Sequence, residues 1–169
     1  MAANVIDSHL CNIINSDMQK SYFPDGAKIA SVRPIYKKKC RNTLENYRPV
    51  SILNTFSKIY ERFIHDSLIP FIDKCLSKFI AAYRKSYSSS HVLLRLIENW
   101  KKDLDNKKFV GAVLMDLSKA FDCIPHDLLI AKMDAYGFNE SALTFFFSYL
   151  KRRKQNVRIN NTCSVFQLL

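Results

Sequence analysis

Asp116, Phe121 and Asp122 are the residues of this chain whose types and spacing could do chemistry: an acid closing an apolar run, an aromatic five positions on, and a second acid beside it. A carboxylate held at the end of a rigid strand is the kind of hard oxygen ligand that Mg²⁺ requires. Spacing alone leaves a second reading, in which Asp116 is a loop residue solvating its own backbone. The elements around it must decide.

Phe109 to Met115 is apolar and rich in Val, Leu and Phe, so it reads as a strand buried on both faces, with Asp116 at its end. A loop from Leu117 to Ile124 follows. Pro125 then has the fixed φ that suits a first helical position, and Asp127 places a carboxylate near the positive end of the helix dipole. That helix closes at Tyr136-Gly137, and Asn139 can cap a further helix from Glu140 to Leu150. Lys151 to Lys154 form a basic turn. Gln155 to Asn160 alternate Val157 and Ile159 with polar residues, a strand, and Asn160-Asn161-Thr162 is a hairpin turn into a partner strand within Ser164 to Leu169.

Upstream, Val5, Ile6, Leu10, Ile13, Ile14 and Met18 recur at three- and four-residue steps, giving an amphipathic helix before the turn Phe23-Pro24-Asp25-Gly26. Ala27 to Tyr36 reads as a strand. Thr55 to about Ile72 reads as a helix presenting Ile59, Phe63, Ile64 and Leu68, with Pro70 ending or kinking it. Ser88 to Ser90 offer hydroxyl caps for a helix whose stripe is Val92, Leu93, Leu96, Ile97, Trp100 and Leu104. These stripes, and the aromatics Phe145, Phe146, Phe147 and Tyr149, read as core. His126 reads as a helix-start residue.

A hydrophobic content of 48% with 12% aromatics argues for a folded chain of 169 residues, one domain's worth of material or part of one. The formal net charge of +11 points to a polyanionic partner, because cations that neutralise phosphates release condensed counterions. More than half of that charge lies between Lys28 and Arg48, where seven cations face Glu45 alone. Such a run is either a solvated loop or a phosphate-facing surface. The five cysteines, Cys11, Cys40, Cys75, Cys123 and Cys163, lack C-x-x-C spacing, which suggests neither a disulfide framework nor a zinc site. With no secretory signal and no run of about 20 apolar residues, an intracellular protein off the membrane is expected, in cytoplasm or nucleus. The sequons at Asn139 and Asn160 then carry no meaning.

The string AVLMDLSKAFDCIPHDLLIAKMDAYGF, beginning at Ala112, resembles the first catalytic motif of reverse transcriptases from non-LTR, jockey-related retrotransposons. ENYRPVSILNTFSKIYERFI from Glu45, AAYRKSYSSSHVLLRLIENW from Ala81 and FFSYLKRRKQNVRIN from Phe146 resemble further stretches of that family, in its order. The resemblance implies an α+β fold: the fingers and first part of the palm of a right-hand polymerase, with residues 1–22 as a helical segment and 23–169 as a partial reverse transcriptase domain.

The complete enzyme is an RNA-directed DNA polymerase that transfers nucleotides with two Mg²⁺ or Mn²⁺ ions, acting on an RNA template, a DNA primer and deoxynucleoside triphosphates. By resemblance Asp116 is its first metal-binding aspartate, helped by the Leu117 carbonyl. Phe121 matches the aromatic that packs under the incoming sugar, and Asp122 orders the loop or meets the nucleotide. Arg48, Lys58, Arg84 and Lys85 match finger cations on triphosphate or template, and Gln155 and Arg158 lie in the stretch resembling the family's post-helix strand, as template contacts or as part of a surface strand.

Departures from the family pattern are Ser86, where glycine is usual, and Cys40, where an acid is common. The glycine-proline-glutamine turn and the paired-aspartate hairpin do not occur in the chain, so the chain is expected to be inactive alone, with an exposed apolar edge near Val110 to Met115. Two alternatives are a non-catalytic nucleic-acid-binding remnant and an inert fragment of a decayed element.

Overall fold

The computed structural model describes residues 2–117 and 120–168, with side chains from Ile6 onward. In chain order its elements are α1 (Ala2–Gln19), β1 (Ile29–Tyr36), β2 (Tyr47–Leu53), α2 (Thr55–Cys75), α3 (Ser89–Asp105), α4 (His126–Ala135), α5 (Glu140–Leu150), β3 (Lys154–Ile159), β4 (Thr162–Cys163) and β5 (Gln167–Leu168). The class is α+β with one small sheet. The chain forms two compact units, the first running through His65 and resuming at Ile124, the second Asp66–Cys123.

In the first unit, β1 and β2 form an antiparallel hairpin in the register Tyr36↔Tyr47 to Ala30↔Leu53. β3 joins the other edge of β1 in parallel, from Ile29↔Lys154 to Val32↔Val157. β4 and β5 both add antiparallel to β3. The β3–β4 hairpin turns at Asn160, whose φ of +52° is the left-handed conformation that asparagine tolerates, so the expected turn forms where its residues asked for it.

Aromatic side chains build the core. Phe23 is fully buried, with the rings of Tyr60 and Tyr149 both 4.9 Å away edge-on and Phe145 at 6.0 Å. Ile14 of α1, Ala27 and Ile64 complete the cluster, with Phe56 and Phe146 packed against it. Each edge-to-face pair adds about 0.5–1.5 kcal/mol beyond area burial. Two hydrogen bonds anchor it: the Phe23 amide donates to Ser148 Oγ at 3.1 Å, and Ser57 Oγ lies 2.9 Å from the Ala27 carbonyl.

Local capping follows the sequence closely. Asn54, Ser88 and Asn139 accept backbone protons from Ser57, His91 and Ala142, capping α2, α3 and α5. α4 ends in a Schellman motif: Gly137, at φ +87°, donates to Asp134, and Phe138 donates to Met133. Pro125 sits one residue before α4 rather than in its first turn.

Three expectations are overturned. Pro70 does not end α2, which continues to Cys75 and keeps the Leu76-to-Ile72 backbone bond at 3.0 Å. Its buried face is Ser57, Tyr60 and Ile64; Ile59 and Phe63 are open. Phe23 and Phe145 draw the Tyr60 ring inward, so that of the expected stripe Ile64 is buried while Ile59 and Phe63 stay open. The stripe of α3 is likewise not core, since Val92, Leu93, Leu96, Ile97 and Leu104 are all exposed. No described residue of the second unit is fully buried.

The third correction falls on the apolar run. Residues 108–117 form no strand and pair with none among the described residues, and Phe109, Val113, Leu114 and Met115 are almost fully exposed. A strand exists only through a partner, and here none lies beside it. Exposed apolar surface was expected at this place, but as the edge of a sheet, which it is not.

Candidate active-site residues and nucleic-acid interface

The basic stretch between β1 and β2 is held by tyrosines. Tyr36 donates to the Lys39 carbonyl and Tyr47 to the Arg41 carbonyl at 2.9 Å, while Asn46 Nδ2 donates to the Cys40 carbonyl at 2.7 Å. The Arg41 guanidinium lies over the Tyr36 ring at 5.2 Å. Lys39 takes a φ of +76° to make the turn. The loop thus offers Lys37, Lys38, Lys39 and Arg41 from a fixed backbone rather than a loose one. Tyrosines at both ends of a lysine run were the signal in the sequence, and it went unread.

Lys28 does not belong to that surface. It is 4% exposed, its Nζ 2.8 Å from Asp25 Oδ1, and it holds the Asp25 carboxyl below the ordinary carboxylate range, first by hydrogen bonding and then by charge. Arg48 on β2 and Lys58 on α2, both of the first unit, are exposed.

In the second unit, Asp116 and Asp122 are exposed and Leu117 keeps an open side chain. Phe121 is exposed, its ring 6.2 Å edge-on from Tyr83. Arg84 is engaged internally. Its Nε donates to Asp73 Oδ1 at 3.0 Å, its Nη1 reaches the carbonyls of Ser77 and Ile80, and its guanidinium lies over Tyr87 at 4.8 Å. Those contacts tie the segment after α2 into a turn. Lys85 beside it is exposed.

Ser86 has a φ of +68°, and Tyr83 one of +61°. A left-handed backbone at the position where the resemblance leads one to expect glycine gives that departure a physical meaning. Serine carries there the strain that glycine avoids.

Among the described residues, no group of three His, Cys, Asp or Glu side chains is placed to hold a metal ion. Asp116 with the Leu117 carbonyl supplies one carboxylate and one neutral oxygen, too little negative charge to hold two divalent ions side by side. The described residues alone therefore do not fit a two-metal centre. Gln155 is half-buried on β3, paired with Ala30 and Gln167. Arg158 is exposed at the end of that strand.

The chain belongs to the reverse transcriptase (RNA-dependent DNA polymerase) family, whose profile matches residues 35–167. Within it, the chain is 31% identical over 160 residues to the probable RNA-directed DNA polymerase from transposon BS of Drosophila melanogaster, a match covering 93% of this chain and 18% of that protein. It is 32% identical over 126 residues to the RNA-directed DNA polymerase from mobile element jockey of the same fly, covering 73% and 14%. To the probable RNA-directed DNA polymerase from transposon X-element it is 24% identical over 155 residues, covering 90% and 17%. The expected kinship with non-LTR retrotransposon reverse transcriptases holds, and the chain spans less than a fifth of the length of these relatives.

No helix among the described residues is long and apolar enough to cross a membrane. The five cysteines are unbonded and exposed.

Proposed function

We propose that the chain is the fingers and early palm region of an RNA-directed DNA polymerase, with residues 1–22 a helical lead-in and 23–169 the partial polymerase domain. The observation that carries this is the family match across residues 35–167, a stretch that contains Asp116. In the working polymerase Asp116 and the Leu117 carbonyl contribute to a divalent-ion centre whose other ligands come from outside the described residues. Phe121 meets the sugar of the incoming nucleotide, with Asp122 ordering the loop. Arg48, Lys58, Lys85 and the tyrosine-pinned loop hold template and triphosphate by their charge. Arg84 shapes the turn that carries Lys85 within the second unit, through its bond to Asp73.

The exposed run before Asp116 supports the same reading. Four apolar side chains left almost wholly in water are a surface made to be covered, and polymerase palms cover it with neighbouring strands. The test is exchange: the chain replaces its matched segment in the jockey RNA-directed DNA polymerase, and primer extension on an RNA template is measured. Extension supports the proposal. A chimera that binds primer–template yet incorporates no nucleotide counts against it.

A further inference from the structure

We infer that Arg33 and Arg158 form a clamp for a backbone phosphate of a nucleic-acid strand, on the open face of the sheet. It rests on the polymerase reading only for the kind of strand that is bound.

The faces of the sheet are unequal. Ala30 and Val32 are buried, so Ile29, Ser31, Arg33 and Ile35 of β1 take the opposite side. The register carries Arg48, Val50 and Ile52 of β2 to that side, because they pair with Ile35, Arg33 and Ser31. From the other edge Lys154 and Asn156 of β3 pair with Ile29 and Ser31, and one step past Val32↔Val157 stands Arg158 beside Arg33. Two guanidinium groups therefore occupy neighbouring positions on parallel strands about 4.8 Å apart. Both line a cleft of about 270 Å³ with Pro34, Ile159 and Asn160.

Like charges directly across a sheet are destabilising unless an anion lies between them. Among the described residues neither arginine has a carboxylate partner; Arg158 Nε donates to the Asn160 carbonyl at 3.4 Å. A phosphodiester is the anion that suits them, since its oxygens accept the paired N–H groups of guanidinium in a fork. Arg158 also lines an adjoining hollow of about 420 Å³ whose walls include Ile29, Ile52, Asn156 and Phe166. A phosphate held at the arginines thus has an apolar surface next to it where a base can rest, with Asn156 to meet its edge. Phosphate and base side by side describe a nucleotide within a strand.

The experiment is fluorescence anisotropy of a labelled single-stranded RNA oligonucleotide on the full chain, titrated with salt from about 50 to about 200 mM. Arg33→Gln/Arg158→Gln should weaken binding on the order of tenfold and flatten the slope of log K against log salt by about 0.7, the share of one lost phosphate contact on a single strand. Lys101→Gln/Lys102→Gln, which removes the same charge from α3, should leave the slope unchanged. In the absence of RNA the arginine variant should melt at or above the parent's temperature, because a repulsive pair has gone; a lower melting temperature marks the pair as structural and overturns the inference. Deoxythymidine triphosphate offers the same phosphate chemistry without a strand. If it displaces RNA from the unaltered chain as readily as unlabelled RNA does, the site belongs to free nucleotide and the inference falls. An unaltered chain that binds no RNA removes the polymerase reading itself. Binding that the arginine variant retains in full removes only the clamp.

Discussion

Leu114→Ser separates two accounts of the segment before Asp116. Were that segment a strand buried on both faces, truncating the leucine and seating a hydroxyl there would cost about 2–5 kcal/mol for the lost methylenes and the cavity, and more for the stranded polar group. In the structure Leu114 is 96% exposed, with Val113 at 87% and Met115 at 89%, so the side chain has left almost none of the water it meets in the unfolded chain. The cost is then within about 0.5 kcal/mol, the range of surface substitutions. Urea unfolding followed by far-ultraviolet circular dichroism measures the difference, with the slope of the transition checked for constancy. The same change should raise the concentration at which the chain stays monodisperse, since it breaks an apolar patch. A loss of 2 kcal/mol or more would refute the reasoning, because it would mean that Leu114 is covered.

Other expectations follow from the same exposures and contacts. Phe23→Ala should cost about 3–5 kcal/mol, because Phe23 is fully buried among Tyr60, Phe145 and Tyr149, whereas Phe121→Ala, at an exposed ring, should stay within about 0.5 kcal/mol by the same urea assay. Ser86→Gly should raise the melting temperature slightly: relief of a left-handed serine is worth about 1–2 kcal/mol and the extra freedom of glycine in the unfolded chain removes about 0.5–1 of it. Stability should fall between pH 10 and about 12. There an unfolded tyrosine ionises, while Tyr149 is held protonated up to about 12 by burial and then by the charge of Glu61, to which it donates at 2.9 Å. Tyr60 is raised in the same direction by burial and by Asp17. Because the folded state keeps protons that the unfolded state loses, the contribution of Tyr149 is intact below pH 10 and shrinks by roughly 2–3 kcal/mol across the window. Tyr149→Phe should flatten that fall in an alkaline denaturation series.

What the sequence disclosed was local. Ser88, Asn139 and Gly137 cap their helices because an oxygen three residues ahead of an amide, or a residue free to turn left-handed, acts within one turn of chain. Asn160 makes its hairpin for the same reason. The pairing of β1 with β3 lay out of reach, since Ile29 and Lys154 meet only after most of the chain has intervened. So did the choice of Tyr60 over Ile59 as the inward face of α2, which depends on Phe23 and Phe145 arriving from elsewhere. β2 was missed because Arg48 and Pro49 break the alternation that Val50, Ile52 and Leu53 begin to show. The apolar run before Asp116 deceived in the opposite direction: its composition suits a strand, yet composition supplies no neighbour. For the candidate site, the family string placed Asp116, Phe121 and Asp122 together in one segment. It did not show that Arg84 is bound to Asp73 or that Lys28 is buried against Asp25, because ion pairs within a fold are invisible in a count of charges.

The central claim is that Asp116 is the carboxylate this region brings to nucleotide transfer. Single-turnover incorporation by the chimeric jockey polymerase, on an RNA template with Mg²⁺, tests it most directly when Asp116→Ala is compared with Asp122→Asn. Loss of a metal ligand should slow incorporation on the order of a thousandfold, about 4 kcal/mol of barrier, with template binding unchanged, while Asp122→Asn should keep most of the rate. Equal rates for Asp116→Ala and the unaltered chimera would contradict the account.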